Sequence, residues 1–394
     1  MSRKSKRIEA LAVGLPAVVK RRRPDSDIQC PCDASTKGAG DVSNSVTGAT
    51  ILTVDVPEDF SLAQTVCSYG YYVLAPNNWQ PSGDSKLDDK GVFCRPLRYG
   101  RNMQHSSLCR ITQAPLEAES DKPRQGKAQG GREREQEQGQ RCPGRLPCGT
   151  LKVEVAGAAL TAEEGEQVLQ QVKRMLRTDM ELGRWFDMHQ DAKQRRWGRI
   201  FRSPTLWEDM VKTVTACNMA WKGTMRMNTL LCNVFGKGGA FPTPEELAGV
   251  TEEELKEKAK VGYRADRILR LAHAFREGAV DPAWLEDTCR TKEEAFAFVK
   301  SLHGFGPFAA ANTLQLLGYF DCFPFDSETV RHFREEHGSK AKSVAEVTPA
   351  ARARYEPFHP FQFLAYWYEL WMCYERSNGG VPAPQWQSAH KDNI

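Results

Sequence analysis

The rhythm of hydrophobic and polar positions changes once along the chain. Between residues 51 and 101 the apolar residues fall in short β-prone runs, ILTVDV, TVCSYGYYVLA and GVFCRPLRYG, with the turn-rich PNNWQPSGDS between the last two. Such runs bounded by turn residues predict an antiparallel meander. Residues 151–155 (LKVEV) add a strand, whereas 113–149, rich in Gln, Gly, Arg and Glu, cannot build a core and predict a surface insertion. From Thr161 the period lengthens. Thr161 and Glu164 stand at capping-box spacing and open a helix expected to reach about Leu182. Ser203 and Pro204 start another, with Leu206, Met210, Val211 and Val214 on one face. Further helices are expected near 224–235, 243–248, 251–258, 263–276, 291–302, 307–318, 326–337 and 360–375.

This pattern predicts a mostly α chain with a small N-terminal antiparallel β domain, an α+β class. The expected order is a basic tail over 1–50, a sheet domain over 51–200 carrying the 113–149 insertion, a helical domain over 201–376, and a flexible tail over 377–394.

Composition narrows the classes. Of 394 residues 40% are hydrophobic and 9% aromatic, enough to bury real cores. No apolar run is long enough to cross a membrane as a helix. The net charge of +4 is uneven: residues 1–23 hold eight Lys/Arg against one Glu. Lys20-Arg21-Arg22-Arg23-Pro24 suits a nuclear-import signal, with a chloroplast or mitochondrial targeting peptide as the alternative; the segment makes a poor secretory signal. Residues 173–202 carry nine Lys/Arg against four Asp/Glu and end in Arg195-Arg196-Trp197-Gly198-Arg199, a candidate phosphate-binding patch. The twelve cysteines show no zinc-ligand rhythm and read as reduced thiols. Past residue 300 only Cys322 and Cys373 remain, too few for a four-cysteine iron–sulfur cluster.

The chemistry concentrates in residues 291–337. A helix ends near Leu302, a turn follows at His303-Gly304-Phe305-Gly306, and Pro307 opens the next helix. The glycines let backbone approach a ligand closely, and the second helix offers its N-terminal amides to a phosphate. Backbone carbonyls at the turn (Lys300, Leu302, Phe305) offer a structural cation site. Beyond the second helix lies Pro324-Phe325-Asp326-Ser327-Glu328-Thr329, where Asp326 suits a helix N-cap as well as a catalytic carboxylate.

Together these segments resemble the helix-hairpin-helix DNA glycosylase superfamily, nearest its 8-oxoguanine and alkyladenine branches. Leu302-His303-Gly304-Phe305-Gly306 matches the hairpin pattern L-x-G-[VIF]-G, and Asp326 falls at the position of the family's catalytic Asp. The resemblance covers residues 200–375 well and 51–200 loosely. It implies an enzyme that flips a damaged or mismatched base from double-stranded DNA and hydrolyses its N-glycosidic bond, with Asp326 stabilising the oxocarbenium-like sugar. The bifunctional members carry a Lys two residues after the second hairpin Gly; that position is Phe308, which implies no lyase step, and Lys300 lies before the hairpin. Val261-Gly262-Tyr263-Arg264-Ala265 resembles the segment in which the aromatic wedges into the duplex and the Arg reads the orphaned base. Asn218 occupies the gap-filling position. Phe363 and Trp367, on a C-terminal aromatic helix, are candidate walls of the base pocket and equally suit plain core. The resemblance implies a monomer acting on DNA, with no membrane and no cofactor beyond the hairpin cation. It leaves the lesion open, and a non-catalytic lesion reader stands as the alternative.

Overall fold

The computed structural model of the protein describes residues 49–82, 91–114 and 149–386. The basic cluster at 20–23 and residues 115–148 of the insertion lie outside them. The architecture is α+β. Strands β1 (Thr50–Val56), β2 (Asn78–Gln80), β3 (Val92–Tyr99), β4 (His105–Gln113) and β5 (Gly149–Val155) form one antiparallel sheet in the order β1-β5-β4-β3-β2. The helices are α1 (Leu62–Val66), α2 (Ala162–Leu176), α3 (Gly183–Met188), α4 (Gln190–Gln194), α5 (Leu206–Ala216), α6 (Trp221–Leu230), α7 (Glu252–Ala259), α8 (Arg264–Arg276), α9 (Pro282–Glu286), α10 (Lys292–Ser301), α11 (Pro307–Leu317), α12 (Ser327–Glu336), α13 (Val344–Tyr355) and α14 (Gln362–Ser377).

Local chemistry explains the regular parts. The Thr161 hydroxyl accepts the Glu164 N–H at 3.2 Å while Glu164 accepts the Thr161 N–H at 2.9 Å, a closed capping box. That helix stops at Leu176, short of Leu182, because Arg177 turns left-handed (φ 50°). Thr291 and Glu294 repeat the box at the start of α10.

Several expectations need correction. TVCSYGYYVLA is not a strand: Ser61 caps α1 and a 3-10 turn follows over Gly70–Val73. Residues 61–75 are buried almost throughout, and a run buried on every side carries no period that separates strand from helix. Asn78–Gln80, expected as turn, pairs with β3. The helix expected over 243–248 is absent; residues 244–249 form turns. The strand β4 and the helix α13, with Pro349 inside it, were not expected.

The cores do not divide at residue 200. One unites the sheet and α2 with α12, α13 and α14; the other lies among α5 to α11. Buried ions join the sheet to α5, where Glu208 accepts from Arg95 at 2.9 Å and from Lys212 at 2.6 Å. The cleft that Asp326 borders is walled largely by residues of the first core.

Candidate active site

The hairpin is the α10–α11 junction. Leu302 leaves the helix in an extended conformation, Gly304 takes φ +86°, and Gly306 precedes Pro307 at the first position of α11. No side chain caps the α11 N-terminus. A Cβ built at Gly306 meets open space, so neither packing nor conformation requires glycine there; close approach of a ligand would. At Gly304 the Cβ would strike the Arg267 side chain at 2.5 Å. The Leu302 carbonyl, one of the three expected to hold a cation, already accepts the Phe305 N–H at 3.1 Å and keeps its second lone pair. His303 is exposed and pairs with Asp266 at 2.8 Å; Lys300 is exposed.

Arg267, which the sequence reading missed, links the hairpin to the Tyr263 segment. Its guanidinium lies 4.8 Å from the Tyr263 ring. Tyr263 is 49% exposed, unusual for so large an aromatic side chain, and its hydroxyl is 3.5 Å from the Asn218 amide. Asn218 is exposed and left-handed (φ 51°), not the buried polar residue its type alone would suggest. Arg264 departs from expectation. It is 2% exposed, stacks 4.6 Å from Tyr263, and donates to the carbonyls of Cys217 at 2.5 Å and Asn218 at 3.1 Å. Arg264 braces Tyr263 against the 217–218 turn, because burial of a guanidinium demands acceptors and the nearby carbonyls supply them.

Asp326 is the helix N-cap its sequence context allowed, and it also borders a cleft. It caps α12, its Oδ1 accepting the amides of Glu328 at 2.9 Å and Thr329 at 3.1 Å. It also lines a cleft of about 40 Å³ with Tyr69, Tyr71, Trp221, Phe308, Phe363, Tyr366 and Trp367. Oδ2 takes no hydrogen bond, and no cation pairs with Asp326, among the described residues. Burial pushes its carboxyl up to about 7; the Thr329 amide opposes that rise and the Glu328 charge adds to it. Glu328 itself is matched by Arg331 and by the Tyr374 hydroxyl at 2.6 Å.

Phe363 and Trp367 are cleft wall and core at once. Their rings stack at 5.8 Å, and the Trp367 indole N–H donates to the Ser68 carbonyl at 2.8 Å. Tyr69, Tyr71, Trp221 and Asn312 were missed by the sequence reading. The Tyr69 hydroxyl donates to Asn312 Oδ1 at 2.7 Å, and the Asn312 amide donates to Thr213 at 2.9 Å and to Tyr71 at 3.2 Å. These hydroxyl and amide partners stand more than 90 residues apart in the chain, so no local pattern announces them. Phe308 is a wall shared with a neighbouring cavity of about 420 Å³, where Lys292 pairs with Asp321 at 2.6 Å.

The 195–202 patch is largely turned inward. Arg195 pairs with Glu375 at 2.7 Å, Arg199 with Asp59 at 2.9 Å, and Arg202 donates to the Arg174 and Leu316 carbonyls. These charges hold segments together instead of lying free for phosphate, since buried guanidinium groups are stable only when paired.

No protein-family model and no curated protein sequence matches the chain. Solved structures match it. MBOgg1 in complex with a low-affinity DNA ligand superposes with a TM-score of 0.54 at 18% identity, over 84% of this chain and 96% of that one. The 8-oxoguanine glycosylase/lyase of Clostridium acetobutylicum, in complex with double-stranded DNA containing cytosine opposite 8-oxoG, gives 0.52 at 14% identity, over 84% and 98%. The 3-methyladenine DNA glycosylase of Archaeoglobus fulgidus gives 0.53 at 17%, over 81% and 98%. On this likeness the chain has the helix-hairpin-helix DNA glycosylase fold.

Proposed function

We propose that the protein is a DNA N-glycosylase of base-excision repair that releases a damaged or mismatched base and leaves the strand uncut. The observation that carries this reading is Asp326: an unpaired carboxylate at the rim of an aromatic cleft, one short helix beyond an uncapped hairpin. Hairpin amides hold a phosphate, the exposed Tyr263 enters the stack, and Asn218 fills the gap as the nucleotide swings out. The base lies against aromatic faces of the cleft. The bond between C1′ and the base nitrogen breaks with its electron pair leaving on the base. The Asp326 carboxylate stabilises the positive charge on the sugar and takes a proton from the water whose oxygen then bonds C1′, while the departing base nitrogen takes up a proton from solvent.

At about 40 Å³ the cleft has room for about three waters and none for a base. Phe308, the wall shared with the larger cavity, is the side chain whose movement would join the two spaces. No lysine lines the cleft, and Phe308 holds the position at which lyases carry their amine, which supports a monofunctional enzyme. The proposed partner is double-stranded DNA with a damaged base, met by a monomer that needs no cofactor beyond a cation at the hairpin carbonyls. The proposed compartment is the nucleus, with chloroplast or mitochondrion as the alternative.

The test is base release from duplexes bearing single uracil, 8-oxoguanine, alkylated-purine, thymine-mismatch or oxidised-pyrimidine sites, each read with and without alkali. Strand breaks that need alkali support the proposal and name the lesion. Breaks without alkali contradict the absence of a lyase step. Silence on every duplex, with DNA binding retained, favours a non-catalytic lesion reader.

A further inference from the structure

We propose that His332, His337 and Glu369 form a binding site for one zinc-class divalent ion that ties α12 to α14. The site is independent of the glycosylase reading and rests on side chains that the reaction does not use. His332 lies on α12, six residues past Asp326; His337 closes the end of that helix; Glu369 lies on α14, two residues past Trp367. The ligand atoms of the three all fall within 4.8 Å of one another. His332 Nε2 stands 3.1 Å and His337 Nε2 2.5 Å from the same oxygen, Glu369 Oε1. Ligand atoms around a tetrahedral zinc ion lie about 3.4 Å apart, so a small side-chain rotation closes the site.

Three further features fit a metal. His337 Nε2 is buried and faces that one carboxylate oxygen, with no second partner among the described residues. The outer contacts orient the ligands: Cys373 Sγ lies 3.8 Å from His332 Nδ1, and Arg354 holds Glu369 Oε2 at 3.0 Å, turning Oε1 toward the imidazoles. His332 is fully buried while His337 and Glu369 reach solvent, which gives the ion an entry path. Two imidazoles and one carboxylate favour a borderline ion over magnesium or calcium, which demand oxygen shells. Three protein ligands leave the fourth position to water.

The experiment uses the full chain stripped with a chelator and titrated with zinc, then with cobalt(II), against His337→Ala and Glu369→Gln. The other cysteines can bind zinc, so the site is counted by difference. Wild type is expected to take up one equivalent more than either variant. Cobalt in that equivalent should give four-coordinate visible bands without thiolate charge transfer, and zinc should raise the melting temperature of wild type but not of the variants. Either variant alone suffices if the other fails to fold. Equal uptake by wild type and variant, or thiolate charge transfer in the lost equivalent, would overturn the assignment.

Discussion

The Tyr366 hydroxyl lies 3.0 Å from Thr329 Oγ1, and the Thr329 amide donates to the capping carboxylate of Asp326. The aromatic helix α14 is thereby fastened to the turn that aims the carboxylate. Tyr366→Phe removes that bond without changing the shape of the wall. It should lower stability by about 1 kcal/mol. Single-turnover base release should fall by up to about tenfold, with DNA affinity unchanged, because Thr329 becomes free to rotate. Melting curves and single-turnover kinetics check both effects.

The Asp326 carboxyl, raised to about 7, gives a pH dependence with a definite sign. The proposed chemistry needs the carboxylate, so base release should climb as pH rises to about 7 and then level off. Stability runs the other way. A carboxyl raised above its unfolded value contributes most when protonated, below the unfolded pKa, and that contribution is lost as pH rises through about 7. Melting of wild type and Asp326→Asn across pH 5 to 9 should show the variant gaining on wild type toward the alkaline end. A rate that falls as pH rises through 7 would remove Asp326 from the reaction.

Phe308→Lys places a primary amine in the wall of the Asp326 cleft. Borohydride should then trap a covalent DNA adduct of the variant and none of wild type. Adduct formation by wild type would mean that an amine outside the cleft wall reaches C1′.

Tyr263 and Arg264 are neighbours with separable roles. Tyr263→Ala removes an exposed ring and should change stability by less than about 0.5 kcal/mol while weakening capture of a flipped nucleotide. Arg264→Met leaves the Cys217 and Asn218 carbonyls without their donor, which should cost about 2 kcal/mol and lower the melting temperature. Equal melting of the two variants would contradict the brace assigned to Arg264.

What could be read from the sequence were the parts whose cause is local. The hairpin shows itself because a positive φ asks for Gly304 and a helix start favours Pro307. The capping boxes at Thr161 and Thr291 show themselves for the same reason. Asp326 stood out because its N-cap position coincides with the one the resemblance gives the catalytic Asp. The cleft wall was half legible: Phe363 and Trp367 share a helix, but Tyr69 reaches its partner Asn312 across 243 residues. The arginines near 199 looked like a phosphate patch because Glu375 and Asp59, their partners, lie 180 and 140 residues away. The burial of Arg264 was hidden likewise, since its acceptors are carbonyls of another loop.

The most direct test of the central claim is single-turnover base release by Asp326→Asn on the lesion that wild type processes. Asn is as good an N-cap as Asp, so α12 and DNA binding should persist. The predicted result is a loss of at least about 100-fold in the rate, the scale for removing one preorganised electrostatic group, with affinity close to wild type and melting no lower than wild type. Base release at the wild-type rate would contradict the assignment of Asp326 as the catalytic carboxylate.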